Sequence, residues 1–226
     1  MQNEEERTET ENQFQARRRR EEYGAVSLKN AHLVNFKAPF LHLNYLAAVI
    51  SEDNDAIMRV RGEPSISDDH MQVMTILWNK IDDVCQTCGY DIFGALGQFN
   101  SGLSDDITLL RRHLARLEAA CDYVRHTHPD QLRAWYYTPY IPTLMEKDFE
   151  FIIRRDQEYN ASWLRRGGVG AFMMLARKWD RFEPMVAAYN NRPVAMLAAK
   201  PDRIDDVQDL RRYLALVQSE WNRRRA

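Results

Sequence analysis

Apolar residues recur at steps of three and four along this chain, with no convincing two-residue alternation. Met71, Met74, Leu77, Trp78, Ile81 and Val84 follow that spacing, behind a helix-start signal at Ser65 to Asp69. Ile107, Leu110, Leu114, Leu117 and Cys121 repeat it after Ser104, and Asp105 and Asp106 suit the positive end of a helix. Ile204, Val207, Leu210, Leu214 and Val217 do so once more. Nine glycines and eight prolines in 226 residues are too few for an all-β fold with many tight turns. The expectation is an all-α fold, a helical bundle.

Helices are expected over Pro39 to Ile50, His70 to Cys88, Asp105 to His126, Thr143 to Tyr159, Ala171 to Glu183 and Asp202 to Glu220, with a loop at Ser51 to Asp55. Residues 1–24 hold few aliphatics: Glu4, Glu5 and Glu6 precede the run Arg17 to Arg20. That reads as a disordered charged tail. The tract Trp135 to Pro142, with three tyrosines and two prolines, marks a domain boundary. The expected division is therefore the tail 1–24, a helical domain 25–140 of unassigned role, and a helical domain 141–226.

Charge narrows the possible partners. The net charge of −2 argues against a nucleic-acid partner. From Ile141 onward, however, 16 Lys and Arg face 12 Asp and Glu, whereas residues 1–140 hold 15 against 21. The carboxy-terminal part is the place to seek a phosphate-bearing ligand. No apolar run is long enough to cross a membrane, and Met1 to Glu6 show no apolar export segment. A cytoplasmic protein with reduced thiols is expected.

Two segments echo each other. Asp105 to Ala115 and Asp205 to Ala215 agree at seven of eleven positions, including the pairs Arg111-Arg112 and Arg211-Arg212. The echo records either a duplicated helical unit or two acid-started, arginine-rich helices that converged by composition. The flanking residues match poorly.

Candidate chemistry gathers in the last third. Asp205, Asp206 and Asp209 crowd the start of one helix, where Asp206 and Asp209 share a face. Such a cluster suits a divalent cation, or simply the dipole of a solvated first turn with Arg211 and Arg212 as ordinary partners. On the preceding helix Lys178 and Arg181 project on one side next to Arg177, a basic set that suits phosphate oxygens or interhelical ion pairs. Gly167, Gly168 and Gly170 lead into that helix, either as an anion-binding amino terminus or as a plain turn. Asp156 and Glu158 are further acids, and Tyr159 and Trp163 either stack on a base or pack in a core.

The run Asp156-Gln-Glu-Tyr-Asn-Ala-Ser-Trp-Leu-Arg-Arg166 resembles the signature of the phage and bacterial nucleotide modification associated family, an all-α relative of the MazG-like nucleoside triphosphate pyrophosphatases. Ala176 to Arg181 and Asp206 to Tyr213 are similar to its two following helical elements, in the same order and spacing. The likeness covers about residues 146–221. Glu158-Tyr-Asn160 stands where the family has Asp-Tyr-Gly. The resemblance implies Mg²⁺-dependent hydrolysis of a (deoxy)nucleoside triphosphate to monophosphate and pyrophosphate, in phage-type nucleotide metabolism. It implies metal on Glu158, Asp206 and Asp209, water oriented by Asp205, and substrate held by Lys178, Arg181, Arg177, Trp163 and Arg166. It also implies a homo-oligomer. The alternative is a non-catalytic helical module that binds a nucleotide or a protein.

Cys85 and Cys88 have the spacing of half a zinc site, with Cys121, His126 and His128 as loose completions. Cys85 falls inside an amphipathic helix, so an ordinary buried thiol is favoured over zinc.

Overall fold

The structure, a computed structural model, describes residues 43–60, 69–127, 144–159 and 162–226. All belong to one compact unit, Lys37–Ala226. Among the described residues there are seven α-helices: α1 Leu43–Val60, α2 Asp69–Thr87, α3 Ile92–Thr127, α4 Leu144–Tyr159, α5 Gly167–Ala187, α6 Pro193–Ala199 and α7 Ile204–Arg225. A 3₁₀ turn, Pro201–Arg203, links the last two. No strand occurs among them, so the fold is all-α. None of these helices is long and apolar enough to cross a membrane. The expected tail 1–24 and the boundary tract 135–142 lie outside the described residues. The described helices on either side of that tract pack together, α1 and α3 lying along α7.

The helical spacing does bury one face of each element. Leu46, Val49 and Ile50 of α1, Met74 and Ile81 of α2, Ile107, Leu110 and Leu114 of α3 and Val207, Leu210 and Leu214 of α7 are all almost fully enclosed. Several boundaries differ from expectation. The acid-rich stretch Ser51 to Asp55 is helical, continuing α1, because Asp53 is drawn into the interior by buried arginines. Helix α3 begins at Ile92, twelve residues before Ser104, and bends at Phe99, whose backbone leaves helical geometry (φ −116°, ψ 26°). Its first turn is capped by Asp91, whose Oδ1 accepts from the N–H groups of Phe93 and Gly94, both at 3.1 Å. Helix α5 continues past Pro184, which is exposed on its outer side.

The element order is a duplication. Helices α1, α2 and α3 are followed by α4, α5 and the pair α6–α7, and many buried positions of the two sets correspond at a near-constant offset. Leu46, Val49, Ile50 and Asp53 of α1 correspond to Phe149, Ile152, Ile153 and Asp156 of α4, all buried. Met71, Met74, Trp78, Ile81 and Cys85 of α2 correspond to Phe172, Leu175, Trp179, Phe182 and Val186 of α5. Both of these helices end in the same turn. Gly89 and Tyr90 take positive φ (62° and 63°), as do Asn190 and Asn191 (56° and 59°). The Tyr90 N–H donates to the Cys85 carbonyl at 2.7 Å, and the Asn191 N–H donates to that of Val186 at 3.1 Å. Where α3 bends at Phe99, the second set breaks into α6, the 3₁₀ turn and α7.

The two sets meet through equivalent residues. Trp78 stacks on Trp179, with ring centroids 5.3 Å apart and 14° between planes. Arg111 of α3 reaches Gln218 of α7 (3.4 Å), and Arg211 of α7 reaches Glu118 of α3, so these helices run antiparallel. Thr108 and Ser104 also hydrogen-bond to Gln218. The short echo in sequence is thus the most visible part of a longer correspondence in buried positions.

Candidate functional site

In the first repeat α1 packs along α3; in the second α4 packs along α1, and a cavity of about 370 Å³ opens between α4, α5 and α7. The three carboxy-terminal elements singled out in the sequence therefore face one space. Its lining carries four cations, Arg155, Arg177, Lys178 and Arg212, against two acids, Asp156 and Asp209. Its aromatic walls are Phe151, Tyr159, Trp163 and Tyr213.

Lys178 lies at the inner end of the basic set. Its ammonium pairs with Asp209 at 2.7 Å and Asp206 at 3.3 Å, and only 13 % of its side chain is exposed. Arg212 spans the cavity and the core, donating to Asp148 at 2.8 Å and lying 4.2 Å above the centre of the Phe151 ring. Arg155 donates to the Tyr159 hydroxyl at 3.1 Å and stands over Phe151. Arg177 is exposed and, among the described residues, has no carboxylate partner; its field acts on Tyr213. The Tyr213 hydroxyl is nonetheless pushed up, by burial and by Asp209, against the opposing effect of Arg177.

Asp156 sits in this wall in an unusual state. It is 7 % exposed, and its Oδ1 has no hydrogen-bond partner. Burial pushes its carboxyl above the ordinary range, opposed only by the nearby Trp163 indole. That indole is itself 5 % exposed, and its hydrogen bond to the carboxyl is what opposes the shift. The corresponding residue of the first repeat, Asp53, is gripped by two arginines. Sequence reasoning ranked Asp156 only as a further acid, because nothing in the sequence marks which of two equivalent carboxylates keeps its counter-charges.

Of the residues expected at a site, Trp163, Arg177, Lys178 and Asp209 line the cavity. Asp206 stands behind Lys178, 6 % exposed and within 3.8 Å of both Arg181 and Arg203. Arg181, Arg166 and Asp205 are exposed and do not line it. Glu158 is also outside the lining, paired with Arg155 at 3.0 Å and Arg154 at 3.9 Å on the outer face of α4. The Mg²⁺ implied by the resemblance needs acid oxygens gathered at one point. Among the described residues no three His, Cys, Asp or Glu side chains gather in that way. Asp206 and Asp209 both pair with the Lys178 ammonium. Missed in the sequence were Arg155, Arg212 and Tyr213, each of which falls on the cavity face of its helix.

The glycines at the start of α5 serve packing and backbone geometry. A Cβ on Gly168 would lie 1.8 Å from Asp91 Oδ1 and 2.9 Å from the Phe93 backbone nitrogen. Gly167 takes a positive φ of 64° at the helix start. Cys85 is fully buried in α2, and burial pushes its thiol up to about 12. Cys88 points elsewhere, its thiol donating to Gln98 at 3.4 Å. The side chains of His126 and His128 lie outside the described residues.

No protein-family model matches the chain. No curated protein matches it, and no solved structure does.

Proposed function

We propose that the cavity between α4, α5 and α7 binds a nucleoside polyphosphate. The observation that carries this reading is the lining itself: guanidinium and ammonium groups on three helices share one cavity with four aromatic side chains. Phosphate oxygens suit Arg177, Arg155 and the accessible edge of Arg212, and the aromatic walls suit a base and sugar. Lys178 is committed to Asp206 and Asp209 and acts as a local source of positive potential. The resemblance noted in the sequence points to the same ligand class.

Hydrolysis of the nucleotide to monophosphate and pyrophosphate is the second reading. It is favoured by the pair Asp206 and Asp209 beside Lys178, next to the end where phosphates would lie. Both readings are tested together. Thermal stabilisation and calorimetry are recorded with a panel of ribo- and deoxynucleoside triphosphates, with and without Mg²⁺, while pyrophosphate release is followed. Saturable stabilisation, weakened about tenfold by Arg177→Ala with no change in the melting temperature of the free protein, is expected. No stabilisation by any nucleotide at millimolar concentration overturns the binding reading. Stabilisation without pyrophosphate release leaves binding as the function and removes hydrolysis.

A further inference from the structure

We propose that Phe151 is the platform of an anion clamp in this cavity: its ring holds the guanidinium groups of Arg155 and Arg212 in place for the phosphate chain of a nucleoside polyphosphate. The clamp rests on the nucleotide reading above and names the wall that takes the phosphate end of the ligand.

Phe151, Arg155 and Tyr159 follow one another at steps of four on α4, so they share one stripe of that helix, and all three line the cavity. Arg155 Cζ lies 5.1 Å from the centre of the Phe151 ring and 5.5 Å from that of Tyr159. Arg212 reaches the same Phe151 ring from α7, its Cζ at 4.2 Å from the centre. These distances fall within the range at which a cation is attracted to the face of an aromatic ring. Contact through the face leaves the in-plane N–H groups of a guanidinium to other acceptors. Among the described residues Arg155 bonds through Nη1 alone, to Glu158 and Tyr159, and Arg212 through Nε and Nη1, to Asp148 and Asp209. Nη2 of both groups is unengaged by those residues. Both side chains also keep accessible surface, 45 % for Arg155 and 13 % for Arg212.

The first repeat lacks this arrangement. At the offset that pairs Leu46, Val49, Ile50 and Asp53 with Phe149, Ile152, Ile153 and Asp156, Ala48 stands opposite Phe151 and Glu52 opposite Arg155. Glu52 reverses the charge and pairs with Arg111 at 2.8 Å. Arg112, the match of Arg212, is exposed. The ring and its cations therefore occur together on the side where the cavity opens.

An arginine side chain loses rotamer freedom when a ligand fixes it, and one already held by a ring loses less. Two such groups at one ring offer pairs of N–H donors to the oxygens of successive phosphates. With its ring taken by cations, Phe151 is a positioning residue for the phosphate chain and not a stacking partner for the base. Stacking falls to Tyr159, which is 56 % exposed, and to Tyr213.

The test measures the affinities of ATP, GTP, CTP, UTP and inorganic tripolyphosphate for the full chain by calorimetry. Phe151→Leu removes the ring, pentafluorophenylalanine in place of Phe151 keeps the shape and reverses the polarity of the ring face, and Phe151→Tyr keeps the face. The first two should weaken tripolyphosphate and the tightest-bound nucleotide by the same factor, about three- to tenfold. Phe151→Tyr should stay within about twofold of the wild type. Should Phe151→Leu fail to fold, the pentafluorophenylalanine variant carries the test. Wild-type affinities in that variant overturn the clamp while leaving the nucleotide site standing. A loss confined to the nucleotides, with tripolyphosphate unchanged, overturns it too, because Phe151 then serves the base. Nucleotide binding with no binding of tripolyphosphate does the same. Absence of binding by all five probes overturns the nucleotide site itself, and the clamp with it.

Discussion

Arg111 and Arg211 hold the two oxygens of one carboxylate, that of Asp53, at 2.6 and 3.2 Å. They occupy the same position in the two echoing segments, and both are almost fully enclosed. Around them lie Glu118 and Asp148, both buried, and Glu52 at the rim. Burial alone would push both Glu118 and Asp148 up. Arg211 and Arg212 reverse this at Asp148, which they hold below the ordinary range, whereas Glu118 remains raised despite Arg211. Removing one cation here strands buried acids. Arg211→Met is expected to cost about 3–5 kcal/mol in urea unfolding. Arg112→Ala, one position along the matching arginine pair of α3 and exposed, should stay within about 0.5 kcal/mol. Equal losses would show that the buried cluster is not a structural keystone.

Gly168 and Gly102 give the glycine prediction its contrast. Alanine at Gly168 puts a methyl group against Asp91 and the Phe93 backbone, where α3 and α5 begin side by side. Asp91 caps α3 and cannot retreat without uncapping it. Gly168→Ala should destabilise by about 1–3 kcal/mol. Gly102 lies within α3, and a methyl group added there meets nothing within 4 Å, so Gly102→Ala should stabilise by about 0.5–1 kcal/mol. Thermal melts of the two variants, expected to move in opposite directions, check both.

The helical class was legible because burial in this fold follows the three-and-four spacing almost everywhere. The duplication was legible only at Asp105 to Ala115 and Asp205 to Ala215. There arginine must meet buried acid, and the chemistry tolerates little substitution. Elsewhere the two repeats preserve volume and position instead of identity: Met71 against Phe172, Ile81 against Phe182, Cys85 against Val186. Such matches cannot be seen before the register is known. The site was legible in part for a similar reason. Lys178 and Asp209 announce themselves as clustered charges, but a list of charges does not say which are spent on one another. Glu158, which the resemblance implies as a metal ligand, lies outside the cavity lining and pairs with the arginines of its own helix. Asp156 looked secondary and is, among the described residues, a buried acid bonded by an indole and not by an arginine.

The cysteines separate by environment. Cys85 is fully enclosed, and burial, with Asp82, Cys88 and Asp91 nearby, pushes its thiol up to about 12. Very little thiolate exists there at neutral pH, and no reagent reaches it in the folded chain. Cys88 is only partly covered. Iodoacetamide at pH 8 followed by peptide mass spectrometry should label Cys88 and spare Cys85 until denaturant is added. Labelling of Cys85 at a comparable rate in the native protein would contradict this packing of α2.

His113 supplies the pH dependence. It meets His70 edge-on, ring centroids 5.0 Å apart, and its Nδ1 has no partner. Burial lowers its pKa from 6.5 to about 4, with His70 and Arg116 adding to the effect. Between those values the unfolded chain binds a proton that the folded chain refuses. Stability should therefore be constant with respect to this residue above about pH 6.5 and fall as the pH drops toward 4. His113→Gln removes the titrating group but keeps a polar side chain. Urea unfolding at pH 7.5, 6 and 5 should show the wild type losing stability faster than His113→Gln across this interval. Parallel slopes for the two proteins would mean that His113 takes up its proton in the folded state as readily as in the unfolded chain, contrary to its enclosure against His70.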